Sequence, residues 1–163
     1  MKQWWLILKT KLYIDILTVG KIKNKNIQLA IDDYCKMLLK YAKVNIIELK
    51  EEKNDNINII KKKETENIIK RLNNDNYKIL LNIEGKMLSS EEFSKKIEKE
   101  AVKYGKITLI IGGSNGVDDE IKKYIDYELS FSKMTFPHQL FRLVVLEQIY
   151  RALSIINNAP YHK

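Results

Sequence analysis

Two loops in the second half of the chain carry glycines, hydroxyls and apolar side chains in an arrangement that suits ligand binding. The first is Gly112-Gly113-Ser114-Asn115-Gly116, directly after the most apolar segment of the chain, residues 106–111. Glycines at such a turn let backbone amides approach a ligand closely. The loop has neither the Gly-Lys-Ser/Thr ending of a Walker motif nor the GxGxxG spacing of a dinucleotide site. A phosphate-free ligand is therefore as good a prediction as a nucleotide, and a simple strand-to-helix turn is the other interpretation.

The second loop, residues 130–138, interleaves the apolar side chains of Phe131, Met134 and Phe136 with hydroxyl-bearing residues. Apolar walls with a few backbone hydrogen bonds are what a pocket for adenine and a thioether requires. Taken singly, each of the three is more often an ordinary core side chain. If both loops follow strands of a parallel sheet, they meet at its carboxyl edge, where ligands bind in open α/β sheets.

The chain carries an excess of positive charge, with 29 Lys and Arg against 21 Asp and Glu and a net charge of +8. Each neutralised phosphate of a nucleic acid releases counterions and adds affinity, so a polyanionic partner is favoured. A lysine-rich coding bias explains the charge equally well. The lysines predicted to contact RNA are Lys21, Lys23, Lys25, Lys61, Lys62, Lys63 and Lys133. The run 61–63 is the weakest of these predictions, because charge runs often only solvate a helix.

Cysteine and histidine are too few for several classes of site. One cysteine, Cys35, excludes an intramolecular disulfide, and with two histidines it leaves no zinc ligand set, so we expect no metal. The apolar run at residues 4–8 is shorter than the roughly 20 residues that a membrane span needs, and no cleavage site follows it. We therefore expect a cytoplasmic protein without a membrane partner, in which residues 1–12 are an extension or follow an upstream start codon.

The spacing of apolar residues predicts strands alternating with amphipathic helices, hence one α/β domain over residues 13–163 on a mostly parallel sheet. The predicted strands are residues 13–19, 44–49, 77–83, 106–111 and 127–131. The predicted helices are residues 26–41 and 56–72, one capped by Ser89 with Glu92, a short one at 118–124, and the last from Pro137 to Ile156. The apolar strand 106–111 is expected at the centre of the sheet.

Four segments together resemble a single protein family. They are residues 85–90 (GKMLSS), 110–116 (IIGGSNG), 129–138 (LSFSKMTFPH) and 160–163 (PYHK), and the similarity extends over residues 13–163. The family is that of ribosomal RNA large subunit methyltransferase H, whose members methylate N3 of a pseudouridine in 23S rRNA. The resemblance implies a SPOUT-type fold with a C-terminal trefoil knot, a homodimer with the last helix at its interface, and the ribosome as substrate.

The resemblance also assigns residues to a cofactor and to catalysis. It implies that S-adenosyl-L-methionine is held by Leu81, Gly112, Phe131, Ser132, Lys133, Met134, Thr135 and Phe136. It further implies that the tail, Tyr161-His162-Lys163, takes part in the reaction. Without the resemblance, a histidine this close to the end of the chain would be interpreted as exposed and inert.

The chemistry of N3 methylation suggests roles for these residues. The nitrogen begins as an imide N–H and becomes a good nucleophile only when its proton leaves, so His162 is the predicted general base. Arg142 and Arg151 are predicted to stabilise the developing oxyanion or to hold flanking phosphates. Glu147 either acts as a base or pairs with Arg151 four residues further along a helix, and the pairing is the simpler interpretation.

Two other functions are compatible with the same residues. One is a ribosome- or RNA-binding protein that has kept the fold without catalysis, and the other is a related methyltransferase acting on transfer RNA. A chain of this size has little surface with which to read a base sequence, so recognition of an assembled ribosomal surface is the simpler hypothesis. His138 is predicted to be structural, with a hydrogen bond to the preceding loop.

Overall fold

The computed structural model describes residues 11–162, so residues 1–10 of the predicted extension lie outside the described part. The strands are β1 (Leu12–Val19), β2 (Ala42–Leu49), β3 (Tyr77–Met87), β4 (Lys106–Ile111) and β5 (Tyr127–Ser130). The helices are α1 (Lys25–Leu38), α2 (Ile57–Ile69), α3 (Ser90–Tyr104) and α4 (His138–Ile156), with a 3-10 helix at Asp119–Lys123. β1 begins at Leu12, one residue earlier than predicted, because Leu12 pairs with Ala42 of β2.

The five strands form one sheet in the order β2-β1-β4-β3-β5, and every pairing is parallel. β4 occupies the centre, as predicted, and its side chains from Ile107 to Ile111 are all buried. A strand with both faces covered reads as a continuous apolar run, which is why its bounds were predicted correctly. The predicted α/β fold with a parallel sheet is confirmed, while the trefoil knot stays a prediction.

Helices cover both faces of the sheet. α1, α3 and α4 pack on one face against residues such as Ile16 and Leu109, whereas α2 and the 3-10 helix pack on the other against Leu17 and Ile110. This division follows from the alternation of side chains along each strand. α4 contacts both α1 and α3. Within residues 11–162, no helix combines the length and apolar character that crossing a bilayer requires.

The helix termini follow the local sequence. Ser89 and Glu92 form the predicted capping box, since the Glu92 N–H donates to Ser89 Oγ at 3.1 Å and the Ser89 N–H donates to Glu92 Oε2 at 2.8 Å. On α4, the helical spacing of apolar residues would place Leu140 inward, but that side chain is 38% exposed. Val145 and Leu146 are buried instead, on the side of α4 that packs against the sheet.

β3 extends four residues beyond the predicted end at Ile83. The chain bulges between Leu81 and Lys86 and then pairs with β5 again, so that Lys86 faces Leu129. Gly85, which comes two residues after the predicted end of this strand, lies within the bulge. A Cβ added to Gly85 would stand 2.6 Å from the carbonyl carbon of Leu129 and 2.7 Å from its nitrogen. The bulge therefore brings the backbones of β3 and β5 closer than any side chain allows.

Replacing Gly85 by alanine is expected to lower the free energy of unfolding by about 2 kcal/mol, because the rigid backbone of β5 must move to admit the Cβ. Urea unfolding followed by circular dichroism measures this change. Lys86→Ala, at an exposed neighbouring position, is the matched control and should change stability by less than about 0.5 kcal/mol. Equal stabilities for the two variants would contradict the close approach of β3 and β5.

Candidate active site

A cavity of about 400 Å³ opens at the carboxyl ends of β3, β4 and β5. The loops after β4 and β5 form its walls, as expected for an open α/β sheet. Seven of the eight residues assigned to the cofactor line it: Leu81, Gly112, Phe131, Ser132, Met134, Thr135 and Phe136. The residues that the sequence did not assign include Asn82, Ile83, Val117 and Phe141.

Lys133 is the exception among the assigned residues. It is exposed and is not part of the cavity wall. The Met134 N–H donates to Ser132 Oγ at 2.9 Å, a short side-chain turn that carries the chain outward at this point. Met134 itself is 76% exposed and stands at the rim of the cavity. Lys133 is therefore placed to meet a ligand outside the cavity and not one inside it.

Aromatic rings form one wall of the cavity. Phe141 of α4 lies between Phe131, with ring centroids 5.5 Å apart and edge to face, and Phe136, at 5.7 Å and stacked. Phe93 of α3 supports Phe131 from behind at 6.0 Å. Each ring holds the next in place, so the loop after β5 presents a fixed apolar surface.

His138 connects the two loops. Its Nε2 donates a hydrogen bond to the carbonyl oxygen of Gly112 at 2.7 Å. The histidine is held by a backbone carbonyl, as a structural residue is, although the carbonyl belongs to the loop after β4 and not to the preceding loop. This bond fixes the start of α4 against the end of the central strand.

The glycines of the first loop are required by close packing. A Cβ on Gly112 would lie 2.8 Å from Val117 Cγ1, and a Cβ on Gly113 would collide with the carboxyl of Glu64 from α2. Glu64 is buried; its Oε1 accepts a hydrogen bond from the Glu52 N–H at 3.0 Å, and its Oε2 has no partner in the described structure. Burial raises the pKa of Glu64, against a lowering by the Glu52 N–H, and the charges of Glu51 and Glu52 raise it further.

A second group of polar residues gathers on the outer side of α4. Arg151 donates to Glu147 Oε1 from Nε at 2.9 Å and from Nη2 at 2.6 Å, so the predicted pair is confirmed. Tyr161 donates to the same oxygen at 3.3 Å, and the guanidinium lies 4.9 Å from the Tyr161 ring centre. The hydrogen bond with Tyr34, then burial, raises the pKa of Tyr161 above its usual value, so its hydroxyl stays protonated at neutral pH.

His162 closes this cluster. Its Nδ1 lies 3.3 Å from Arg151 Nη1, and its Nε2 lies 2.7 Å from Glu91 Oε1 on α3. We call Glu147, Arg151, Tyr161 and His162 the tail cluster. Glu91 was not singled out in the sequence, because it is separated from His162 by 71 positions and belongs to the polar first turn of a helix.

Arg142 is not part of the tail cluster. Its guanidinium is 3% exposed and donates to the carbonyls of Val19 and Gly20, at 2.7 Å each, and to Glu48 Oε1 at 3.0 Å. The predicted contact with substrate stays a prediction: Nη1 and Nη2 bind the ends of β1 and β2, and the buried Nε has no hydrogen-bond partner among the described residues. Within this chain Arg142 holds α4 to the sheet.

The cavity and the tail cluster share no residue. His138 lies at the cavity, and Arg151 follows thirteen residues later along α4, which corresponds to about 20 Å along the helix axis. The side chains assigned to cofactor binding thus lie beside the start of α4, and those assigned to proton transfer lie near its end.

Comparison with known proteins identifies the fold and the family. A family model described as "Predicted SPOUT methyltransferase" matches residues 12–162. The chain belongs to the SPOUT methyltransferase family. A solved structure described as a probable methylase family protein from Haemophilus influenzae Rd KW20 is similar with a TM-score of 0.54 at 15% identity, over 92% of this chain and 70% of that one. That likeness supports the fold alone.

Curated relatives place this SPOUT methyltransferase more narrowly. Over 157 residues it is 49% identical to a protein of Alkaliphilus oremlandii (strain OhILAs) named Ribosomal RNA large subunit methyltransferase H, covering 92% of this chain and 99% of that protein. Proteins with the same name from Clostridium botulinum (strain Okra / Type B1) and Clostridium kluyveri (strain NBRC 12016) are 48% identical, with the same coverage. The resemblance to the ribosomal RNA large subunit methyltransferase H family, indicated by the four sequence segments, is confirmed. The chain is therefore a methyltransferase.

Replacing Arg142 by methionine in this SPOUT methyltransferase is expected to lower the free energy of unfolding by about 3 kcal/mol, because the buried carbonyls of Val19 and Gly20 lose their donor. Chemical denaturation measures the loss. Arg151→Met, on the same helix but in a more exposed pair, should cost about 1 kcal/mol or less. If Arg142→Met unfolds no more easily than Arg151→Met, then Arg142 does not hold α4 to the sheet.

Replacing Glu64 by glutamine should remove a pH dependence of stability. The pKa of Glu64 is raised in the folded chain. Between its unfolded value of about 4.5 and the raised folded value, the folded chain therefore binds more protons than the unfolded chain, and wild-type stability falls as pH rises through this range. Glutamine carries no charge, and we expect Glu64→Gln to be more stable at pH 7 by about 1 kcal/mol. Urea unfolding between pH 4 and 8 tests this, with Glu66→Gln on the same helix as control. A wild-type curve parallel to that of Glu64→Gln would show that Glu64 is not protonated preferentially on folding.

Proposed function

We propose that this protein transfers the methyl group of S-adenosyl-L-methionine to N3 of a pseudouridine in the 23S rRNA of the large ribosomal subunit. The observation that carries the proposal is that the loops after β4 and β5 come together around one cavity. The names of the relatives at 48–49% identity support a ribosomal RNA substrate.

The cavity fits the proposed cofactor in its chemistry. The aromatic wall of Phe131, Phe136 and Phe141 suits adenine and a thioether, and Gly112 contributes backbone without a side chain to the same cavity. When bound, S-adenosyl-L-methionine supplies an electrophilic methyl group on a sulfonium. Among the residues that the structure describes, no lysine or arginine lines the cavity to repel that charge. Lys133, outside the wall, is assigned to an RNA phosphate instead.

The tail cluster supplies the proton chemistry in this proposal. His162 would accept the proton of N3, which would free the nitrogen lone pair to receive the methyl group that S-adenosyl-L-methionine supplies when bound. Arg151 is positioned to stabilise the negative charge that develops on the imide oxygens. Tyr161 keeps its proton and orients Glu147 and Arg151. Glu147 already accepts three hydrogen bonds on one oxygen and is assigned to holding Arg151.

We further propose that the active form is a homodimer. Since the tail cluster and the cavity lie at different levels of α4 within one chain, a second chain packed along α4 would bring its tail to the cavity of the first. The partly exposed Leu140 of α4 and the exposed Met134 at the cavity rim are apolar side chains that such an interface would cover.

The RNA would be held mainly through its phosphates. Lys21, Lys23 and Lys25 are exposed where β1 leads into α1, at the same edge of the sheet as the cavity, and Lys133 stands beside the cavity. The run 61–63 belongs to α2, on the opposite face of the sheet from α4, so it is the least suited of the lysines to this surface.

Radiolabelled S-adenosyl-L-methionine offered with ribosomes, protein-free rRNA or transfer RNA tests the substrate. We expect label in the rRNA of ribosomes, and fragment masses that place one methyl group on a pseudouridine. Label in transfer RNA alone would replace the proposed substrate with transfer RNA. No transfer at all, together with no heat of cofactor binding at millimolar concentration in calorimetry, would favour a non-catalytic RNA-binding protein.

Replacing His162 by alanine should lower the rate of transfer by at least about 100-fold, because the imide proton loses its acceptor. The cofactor affinity measured by calorimetry should stay within about twofold, since His162 does not line the cavity. Turnover at the wild-type rate would show that His162 is not the base. A large loss of cofactor affinity would show that the tail acts through binding.

A further inference from the structure

The ring of His162 is held from both sides by residues of different helices. Arg151 of α4 approaches Nδ1 at 3.3 Å, and Glu91 of α3 approaches Nε2 at 2.7 Å. His162 is partly buried, with 31% of its side chain exposed, so part of the ring remains accessible to a substrate. Glu91 has no role in the function proposed above.

These two contacts determine which nitrogen carries the proton. A guanidinium only donates hydrogen bonds, so the Nδ1 that faces Arg151 must be the acceptor. A carboxylate only accepts, so the Nε2 that faces Glu91 must be the donor. The neutral ring is therefore the Nε2–H tautomer, and its lone pair is on Nδ1, on the side of Arg151.

Glu91 is suited to remain a carboxylate in this position. It stands in the first turn of α3, where the positive end of the helix favours an anion. Its own backbone N–H, then the hydrogen bonds with His162 and Ser89, lower the pKa of Glu91. A negative charge therefore faces Nε2 throughout the neutral pH range.

We propose that Glu91 is a positioning residue for His162: it fixes the Nε2–H tautomer and stabilises the imidazolium that forms when Nδ1 takes the proton of the imide. The Arg151 N–H that Nδ1 accepts in this structure leaves Nδ1 in that step and turns to the imide oxygen. This inference rests on the proposed function for the identity of that proton. The arrangement follows the general pattern in which a carboxylate orients a catalytic histidine through one nitrogen while the other nitrogen reacts.

The charges around His162 have opposite effects on the stability of its imidazolium form. The positive charge of Arg151 disfavours the imidazolium, whereas the carboxylates of Glu91 and, behind Arg151, Glu147 favour it. From α1, Tyr34 reaches the cluster through the hydroxyl of Tyr161. Removing the Glu91 charge leaves only the more distant carboxylate of Glu147 to offset the positive charge of Arg151.

Nitrogen-15 NMR of the histidine rings tests the tautomer without any RNA. The chain has two histidines, so comparison with His162→Ala assigns the signals of His162. We expect the Nε2–H tautomer in the wild type and in Glu91→Gln, whose amide oxygen still accepts the hydrogen bond. Glu91→Ala should admit a measurable share of the Nδ1–H tautomer, because only the longer 3.3 Å contact with Arg151 then favours Nε2–H. An Nδ1–H tautomer in the wild type, or the same tautomer distribution in Glu91→Ala as in the wild type, would overturn the proposal.

The pH dependence of methyl transfer to ribosomes tests the charge. Glu91→Gln should lower kcat about tenfold with KM unchanged, and should move the acid limb of the kcat profile to lower pH, because the imidazolium loses its counter-charge. Glu98→Gln removes the same charge further along α3 and should leave both quantities unchanged. A Glu91→Gln profile that coincides with the wild type would overturn the proposal.

The proposed function and the role of Glu91 can be refuted independently. If the wild-type protein transfers no methyl group to ribosomes, the proposed function is wrong, and the NMR result still decides whether Glu91 sets the tautomer. If the wild type is active and neither the tautomer nor the kcat profile responds to Glu91, the assignment of Glu91 alone is wrong.

Discussion

The attachment of α4 to the carboxyl edge of the sheet is the constraint on which the rest of the site depends. Pro137 offers no side-chain cap to this helix. Its first turn is held instead by the hydrogen bond from His138 to the Gly112 carbonyl, and its second by Arg142 on the carbonyls of Val19 and Gly20. These bonds use backbone oxygens that a parallel strand leaves free where it ends. They place Phe141 in the cavity wall and thereby set the shape of the proposed cofactor site.

Close packing under the first loop buries the carboxyl group of Glu64, which is electrostatically unfavourable. The absence of side chains at Gly112 and Gly113 lets the loop lie directly on Val117 and on the carboxyl of Glu64. A carboxyl in that place loses its hydration and keeps a partner on only one oxygen. An apolar residue of similar size would avoid the cost, which makes Glu64 a residue whose presence stability does not explain.

Features encoded by neighbouring residues were predictable from sequence, and features that depend on distant partners were not. The apolar run of β4 and the capping box at Ser89 are local, so the sequence alone located both. Gly85 suggested a turn because glycine is common to turns and bulges, and only the pairing with β5 distinguishes the two. Arg142 suggested a ligand contact for the same reason: nothing near it in sequence reveals that two carbonyls of β1, more than 120 positions away, take up its donors. Glycines and hydroxyls indicated both loops as candidate ligand sites, and only the family resemblance favoured a cofactor over a simple turn.

The position of the tail is determined by how α4 ends more than by the tail residues themselves. Asn158 adopts a left-handed conformation with φ of 53°, which asparagine tolerates better than most residues. The Ala159 N–H then donates to the Ser154 carbonyl at 2.9 Å, and the chain turns back along the helix. This reversal brings His162 beside Arg151, eleven positions earlier, and within reach of Glu91. A residue that disfavours positive φ at position 158 would therefore separate His162 from both Arg151 and Glu91, while leaving the proposed cofactor cavity unchanged.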